Sequence, residues 1–304
     1  MILSRRSMLA ATMAATALPG VSLAQTPTPI LKRRVPQTGF MLPVIGIGTS
    51  QVFEWENDPA KLELRKEVVR NLVAGGGSLI DTAAGYGTAE ANVGTVAAET
   101  KLRAQLFLAT KYSSRDTRAQ ADAELKQSFQ RLHTNYVDLQ QAWNVNDPNF
   151  STAQMKEWKA AGLCRHIGIT SSMDGAYDNL AAVLKRERPE FFQINYSLGD
   201  RDAEKLLLPL AQDAGAAVLT NLPFGRNSMF KRVAGKSLPE FAKDIQVTSF
   251  AQLFLKYNLS HPAVTAVIPG TDLPNYMLDN LNAGRGTMPD AAMRRRIETW
   301  FDSV

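Results

Sequence analysis

The sequence predicts an α/β protein: eight strand–helix units closed into a (β/α)8 TIM barrel behind an N-terminal β-hairpin. Three observations predict it. Short, mostly apolar runs of strand length recur along the chain, as parallel strands buried on both faces require. Amphipathic stretches of helix length separate them. Eight such units in roughly 260 residues match a barrel. A doubly wound sheet would instead place Gly-x-Gly-x-x-Gly after its first strand. Here that strand runs into Gly46-Ile47-Gly48-Thr49-Ser50-Gln51, without the third glycine.

In chain order, residues 1–24 read MILSRRSMLAATMAATALPGVSLA. Ser4-Arg5-Arg6-Ser7-Met8-Leu9 resembles the twin-arginine export consensus, and an apolar run from Met8 to Leu18 follows. Pro19-Gly20 breaks that run, and Ser22-Leu23-Ala24 places small residues for cleavage after Ala24. The run is too short to span a bilayer comfortably. Residues 1–24 therefore form a removable twin-arginine-type signal peptide rather than part of the fold, and residues 25–304 form the barrel. The expected destination is the periplasm, with the twin-arginine translocation machinery as a partner and no stable membrane span in the mature chain. That route carries folded proteins, often with cofactor already in place.

A Thr-Pro-Thr-Pro tether follows Gln25. Lys32–Val35 and Phe40–Leu42 flank the turn signal Pro36-Gln37-Thr38-Gly39 and predict the hairpin. The strands are predicted at Val44–Gly48, Ser78–Thr82, Leu106–Lys111, Tyr136–Trp143, His166–Ser171, Phe191–Tyr196, Ala217–Leu222 and Val264–Pro269. The helices are predicted at Asp58–Ala74, Ala89–Thr100, Thr117–Leu132, Ala153–Ala161, Gly175–Glu187 and Asp202–Ala214. Phe224–Phe254 reads as a long connection before the eighth strand. Leu273–Leu281 and Asp290–Phe301 read as closing helices.

Composition narrows the function. The chain has 304 residues, 45% hydrophobic and 21% charged, with a formal charge of +5, which is ordinary globular composition. No basic stripe with interleaved aromatics marks a nucleic-acid surface. Cys164 is the only cysteine, so no intrachain disulfide forms, and it reads as a packing residue. His133, His166 and His261 lack metal-ligand spacing.

Barrel active sites lie at strand C-termini. Asp81 ends one predicted strand, Lys111 ends the next, and a Gly-rich turn after Asp81 presents Tyr86. A phenol, with an ordinary pKa near ~10, is a poor acid at neutral pH. An adjacent ammonium stabilises its phenolate, and a carboxylate keeps that ammonium charged and in place. Asp81, Lys111 and Tyr86 together make a tuned general acid for protonating a developing alkoxide. The matching hydride cannot come from a side chain, so a nicotinamide cofactor is implied. Singly, each residue has an ordinary explanation: Asp81 as a cap, Lys111 as a solvated strand-end charge, Tyr86 as a packing residue in a turn. Their joint placement on adjacent strand ends makes the case.

These motifs resemble the aldo-keto reductase superfamily. The matching residues are Gly46-Ile47-Gly48-Thr49, Asp81-Thr82-Ala83-x-x-Tyr86-Gly87-x-x-Glu90, Ala109-Thr110-Lys111, Tyr136-Val137-Asp138-Leu139, Gly168-Ile169, Gln193, Pro223-Phe224-Gly225, Ile268-Pro269-Gly270-Thr271 and Asp279-Asn280. The resemblance implies reduction of an aldehyde or ketone by NADPH or NADH, with a small carbonyl substrate and Tyr86 as proton donor. It places Thr170, Ser171 and Gln193 against the carboxamide. Asn221 falls where many members stack an aromatic ring, Phe224 and Gly225 on the loop over the pyrophosphate, and Thr271, Asp279 and Asn280 at the adenosine. Gly270 and Tyr276 stand where many members carry Lys and Arg, and Asp272 adds a negative charge. The NADPH preference of the family thus lacks its usual clamps here.

One departure is larger. The histidine that usually ends the fourth strand and orients the carbonyl is replaced by Trp143, followed by Asn144. Indole offers one N–H donor and no acceptor, so Trp143 narrows the pocket and relays no proton. That leaves a second reading, a nicotinamide-nucleotide-binding sensor or interaction protein with little turnover. A barrel hydrolase using carboxylates is disfavoured, because Asp81 has no second acid at another rim position. Phe53 and Trp55, after the first strand, are expected to wall the substrate pocket.

Overall fold

A computed structural model describes residues 28–304. The signal peptide and cleavage site expected at residues 1–24 lie outside the described residues. β1 (Lys32–Arg34) and β2 (Met41–Pro43) pair antiparallel with Arg33 opposite Leu42, which is the expected hairpin. Gly39 closes its turn at φ +76°, donating its N–H to the Val35 carbonyl at 2.9 Å; a side chain is disfavoured at that φ.

Eight parallel strands follow: β3 (Ile47–Gly48), β4 (Leu79–Asp81), β5 (Phe107–Ser113), β6 (Val137–Trp143), β7 (Cys164–Ser171), β8 (Phe191–Asn195), β9 (Ala217–Asn221) and β10 (Val264–Val267). They are ordered as in sequence, and parallel bridges Ile45–Val267 and Gly48–Gly270 join first to last, closing the barrel.

Among the described residues, ten helices surround it: α1 (Pro59–Ala74), α2 (Ala89–Thr100), α3 (Arg118–Arg131), α4 (Ala153–Ala160), α5 (Tyr177–Glu187), α6 (Leu207–Ala214), α7 (Ser228–Arg232), α8 (Phe250–Ser260), α9 (Pro274–Ala283) and α10 (Ala291–Asp302). Their starts follow local chemistry. Asp58 caps α1 through the Lys61 N–H at 3.0 Å, with Pro59 at the first helical position, where a missing N–H costs nothing. Thr117 and Gln120 form a reciprocal capping box on α3.

Two segments differ from the sequence reading. Phe224–Phe254 is not an open connection: it holds α7, a 3-10 stretch at Glu240–Ile245 and the first turn of α8. Residues 252–259 of α8 are all buried, the polar Gln252, Lys256 and Asn258 included. The helix expected at Asp202–Ala214 is split into a 3-10 turn at Asp202–Lys205 and α6. Pro209 supplies no N–H to continue the earlier turn, and it sits in the first turn of α6, where none is required.

Strand alternation builds the interior. Leu79, Phe107, Ala109, Leu139, Phe191, Ala217, Leu219, Ala266 and Ile268 pack as one apolar plug, closed below by Val35 and Leu42 of the hairpin region. The larger apolar cluster lies between strands and helices. Stepping two residues up a strand keeps a side chain on the same face. From Leu79, Ala109, Leu139, Phe191 and Leu219, that step reaches Asp81, Lys111, Gln141, Gln193 and Asn221. The plug is apolar below and polar at the C-terminal rim, which is how the fold positions the site. Among the described residues, no helix is long and apolar enough to cross a membrane.

Candidate active site

Asp81, at the end of β4, is the hub. Its Oδ2 accepts from Lys111 Nζ at 2.7 Å and from Gln193 Nε2 at 3.1 Å, and its Oδ1 accepts from Gln141 Nε2 at 3.3 Å. Lys111 Nζ also donates to the Thr82 carbonyl at 2.7 Å. Both members of the ion pair are buried, with side chains 2% and 3% exposed. Burial opposes the charge on Lys111, but Asp81 and the Tyr86 hydroxyl outweigh it and hold the ammonium above the usual lysine range. The ammonium lies 5.1 Å from the centre of the Tyr86 ring.

Tyr86 sits in a tight turn. Its N–H donates to the Ala83 carbonyl at 3.1 Å, and its carbonyl accepts from Ala89 N–H at 2.9 Å as α2 begins. Gly87 follows at φ +49°, with Glu54 against it. α2 is anchored by Glu90, fully buried, which accepts from Thr110 Oγ1 of β5 at 2.5 Å, Ser128 Oγ of α3 at 3.2 Å and Arg131 Nε at 2.6 Å. Glu90, part of the sequence motif, thus fixes the helix that carries the Tyr86 turn.

Trp143, at the end of β6, meets Tyr86 edge-on, with ring centres 6.2 Å apart and planes at 80°. A Cβ on Gly85 would lie 2.9 Å from the indole, so Gly85 makes room for the tryptophan. Between them remains a narrow cleft of about 30 Å³, lined by Tyr86, Lys111, Trp143, Asn144, Thr170, Ser171, Ser172 and Asn221. Two larger cavities, about 410 and 640 Å³, share Val52, Phe224, Asn227 and Gly270 and form one groove across the rim. The nearer includes Asp81, Tyr86, Asn221 and Arg226; the farther includes Ser249, Asp272, Tyr276, Asp279 and Asn280.

The residues singled out in the sequence fall into three groups. Thr170, Ser171, Asn221, Phe224, Asp279 and Asn280 line the cleft or the groove. Gln193 and Thr271 lie beneath its floor. Gln193 accepts from Gln141 Nε2 at 2.6 Å and donates to Asp81 and to Asn221 Oδ1, the latter at 2.6 Å. Thr271 donates to the Pro269 carbonyl at 3.1 Å and accepts from Asn280 Nδ2 at 3.0 Å. Gly225, at φ +56°, shapes the loop. Phe53 and Trp55 form the third group and correct the expectation of a substrate wall. Phe53 is fully buried and Trp55 nearly so, packed on each other at 5.8 Å with the Arg65 guanidinium over both rings. Their loop turns back onto α1, so neither ring faces the cleft.

Gln141 and Arg226 are site residues that the sequence reading passed over. Gln141 was detectable as the second residue after inward-facing Leu139; Arg226 lies in an irregular loop with no periodic signal. Cys164 is buried, and burial first, with Glu190 adding to it, pushes its thiol up to about 12, so it is no nucleophile. Among the described residues, no group of three or more His, Cys, Asp or Glu could hold a metal ion.

A family model described as the aldo/keto reductase family matches residues 44–298. Aldo-keto reductase YhdN of Bacillus subtilis (strain 168) is 32% identical over 195 residues, covering 59% of this chain and 57% of that protein, little more than half its length. Methylglyoxal reductase YeaE of Escherichia coli (strain K12) is 30% identical over 236 residues, 74% of this chain and 80% of that protein. An aldo-keto reductase from Klebsiella pneumoniae, solved in complex with NADPH, superposes with a TM-score of 0.74 over 91% of this chain and 96% of that one; at 22% identity this likeness concerns the fold.

Proposed function

We propose, from the premise that this chain belongs to the aldo/keto reductase family, that it reduces a small aldehyde or ketone to the alcohol with NADH or NADPH. The observation that carries the proposal is the buried Asp81–Lys111 pair set under Tyr86 at the mouth of a long groove. The donor set suits a dinucleotide. Asn221, Thr170 and Ser171 offer neutral polar groups beside Tyr86, Arg226 offers a cation farther along, and Ser249, Asn280 and the carboxylates lie at the far end. When bound, the dinucleotide supplies the hydride that no side chain can.

Tyr86 holds the proton on its Oη and gives it to the carbonyl oxygen as negative charge develops there. Lys111 stabilises the phenolate left behind, and Asp81 keeps Lys111 charged and fixed in direction. Gln141 and Gln193 hold Asp81 in turn. Trp143 offers its indole N–H to orient the carbonyl and limits the width of what enters. Proton and hydride together convert C=O to CH–OH.

The same reading makes residues 1–24 a twin-arginine signal removed after Ala24, and the mature enzyme periplasmic and exported with its dinucleotide bound. Sequencing the N-terminus of the protein from a periplasmic fraction checks this. Gln25 is expected first, and Arg5→Lys with Arg6→Lys is expected to strand the chain in the cytoplasm. An intact N-terminus on cytoplasmic protein would contradict it.

Trp143 in place of a proton-relaying side chain favours a second reading, a nucleotide-binding protein with little turnover. Dinucleotide titration followed by an aldehyde panel separates the two. Turnover that drops roughly 10²–10⁴-fold in Tyr86→Phe, with dinucleotide affinity kept, supports the enzyme. Tight binding with no Tyr86-dependent oxidation supports the binding protein.

A further inference from the structure

Charge along the groove bears on which dinucleotide it accepts. Tyr86 marks the reacting end, in the nearer cavity, so the opposite end of a bound dinucleotide lies in the farther one. Among the described residues lining these cavities, Arg226 is the one basic side chain, and it belongs to the nearer cavity. The farther cavity contains the carboxyl groups of Asp272 and Asp279 and no lysine or arginine. Asp279 is held by Ser249 Oγ and Gln252 Nε2, each at 2.6 Å and each a neutral donor, so no cation cancels its charge in those contacts. Asp272 is attracted to Arg65. Arg65 is 6% exposed, its guanidinium donates to the Val52 and Asp272 backbone carbonyls, and it does not line the cavity.

NADH and NADPH share the diphosphate; NADPH alone adds a phosphate on the adenosine ribose. A phosphate leaving water needs Arg or Lys to replace its hydration, and here it would meet two carboxyl groups instead. We propose, resting on the reading of this groove as a dinucleotide site, that it selects NADH over NADPH: Arg226 serves the diphosphate common to both, while Asp272 and Asp279 disfavour the additional phosphate. Tyr276 stands at the same end and is 54% exposed, so a cation introduced there disturbs no core.

The test is equilibrium binding without carbonyl substrate, read by quenching of tryptophan fluorescence at low and high salt. The purified protein is expected to bind NADH at least about tenfold more tightly than NADPH at low salt, with the gap narrowing as salt screens the repulsion. Asp272→Asn combined with Tyr276→Arg is expected to raise NADPH affinity about tenfold relative to that for NADH. Arg226→Ala is expected to weaken both alike. Equal or tighter binding of NADPH by the unmodified protein overturns this inference and leaves the proposed function standing, as does a double variant that strengthens both equally. If neither dinucleotide binds, both the inference and the proposed function are overturned.

Discussion

At the scale of single residues, the site turns on Lys111. A lysine with three donors sits 2% exposed, and two of its partners are the Asp81 carboxylate and the Thr82 carbonyl. Removing one member of a buried pair costs roughly 3–5 kcal/mol, because the other is left charged and desolvated. Lys111→Met is therefore expected to lower stability by about that amount, read from the denaturant midpoint at constant slope. Asp81→Asn in the same chain is expected to recover most of it, since no bare carboxylate remains. Neither variant is expected to recover reductase activity. Because the folded pKa of Lys111 is raised, the pair's contribution is complete below the ordinary lysine pKa and fades only as pH rises through the folded value. Asp81 ends β4, Lys111 lies two residues before the end of β5 and Tyr86 sits in the turn between β4 and α2, so strand and turn signals in the sequence bring all three near one rim. Phe53 and Trp55 lie buried away from the cleft, and nothing in sequence distinguishes a loop that faces a cleft from one folded back onto a helix.

At the scale of elements, side chains that join one helix to the next set the shell around the barrel. Glu187, the last residue of α5, accepts from the Thr152 N–H at 3.2 Å and Thr152 Oγ1 at 2.6 Å, where α4 begins, and pairs with Lys156 and Arg186. Burial works against its charge, yet the Thr152 bonds, then Arg186 and Lys156, hold its carboxyl down to about 2. A depressed carboxyl stabilises the fold above its unfolded pKa, and that share is lost as pH falls through the folded value. Glu187→Gln is expected to destabilise by about 1–2 kcal/mol at neutral pH. In parallel thermal melts of wild type and variant, the difference should close as pH falls from ordinary carboxylate values toward about 2. A difference constant across that range would contradict the assignment. The strands and most helices were legible because alternation and caps are local signals. α8 was not, because its Gln252, Lys256 and Asn258 are buried too, so polar residues there mark no exposed face. The split at Pro209 was not either, because a proline in a first turn reads the same as one in mid-helix until the start is known.

At the scale of the whole molecule, one rule organises fold and site together. Eight parallel strands close into a barrel whose interior is apolar below and polar at the C-terminal rim. That gradient was present in the sequence as pairs two residues apart, Leu79 with Asp81, Ala109 with Lys111, Leu139 with Gln141. What only three dimensions disclose is that Gln141 and Gln193 link Asp81 to Asn221 in one hydrogen-bonded chain. The groove arises in the same way, from segments distant in sequence, 48–52, 221–230, 249–251 and 270–280. The central claim is that this rim transfers hydride to a carbonyl carbon while Tyr86 protonates the oxygen. The most direct measurement follows deuterium from a reduced nicotinamide dinucleotide, labelled at the transferring carbon, into the alcohol formed from an aldehyde. The account predicts the label on the former carbonyl carbon, with the rate of its appearance falling by roughly 10²–10⁴ in Tyr86→Phe. A dinucleotide that binds tightly yet leaves the alcohol unlabelled, or a rate indifferent to Tyr86, would contradict it.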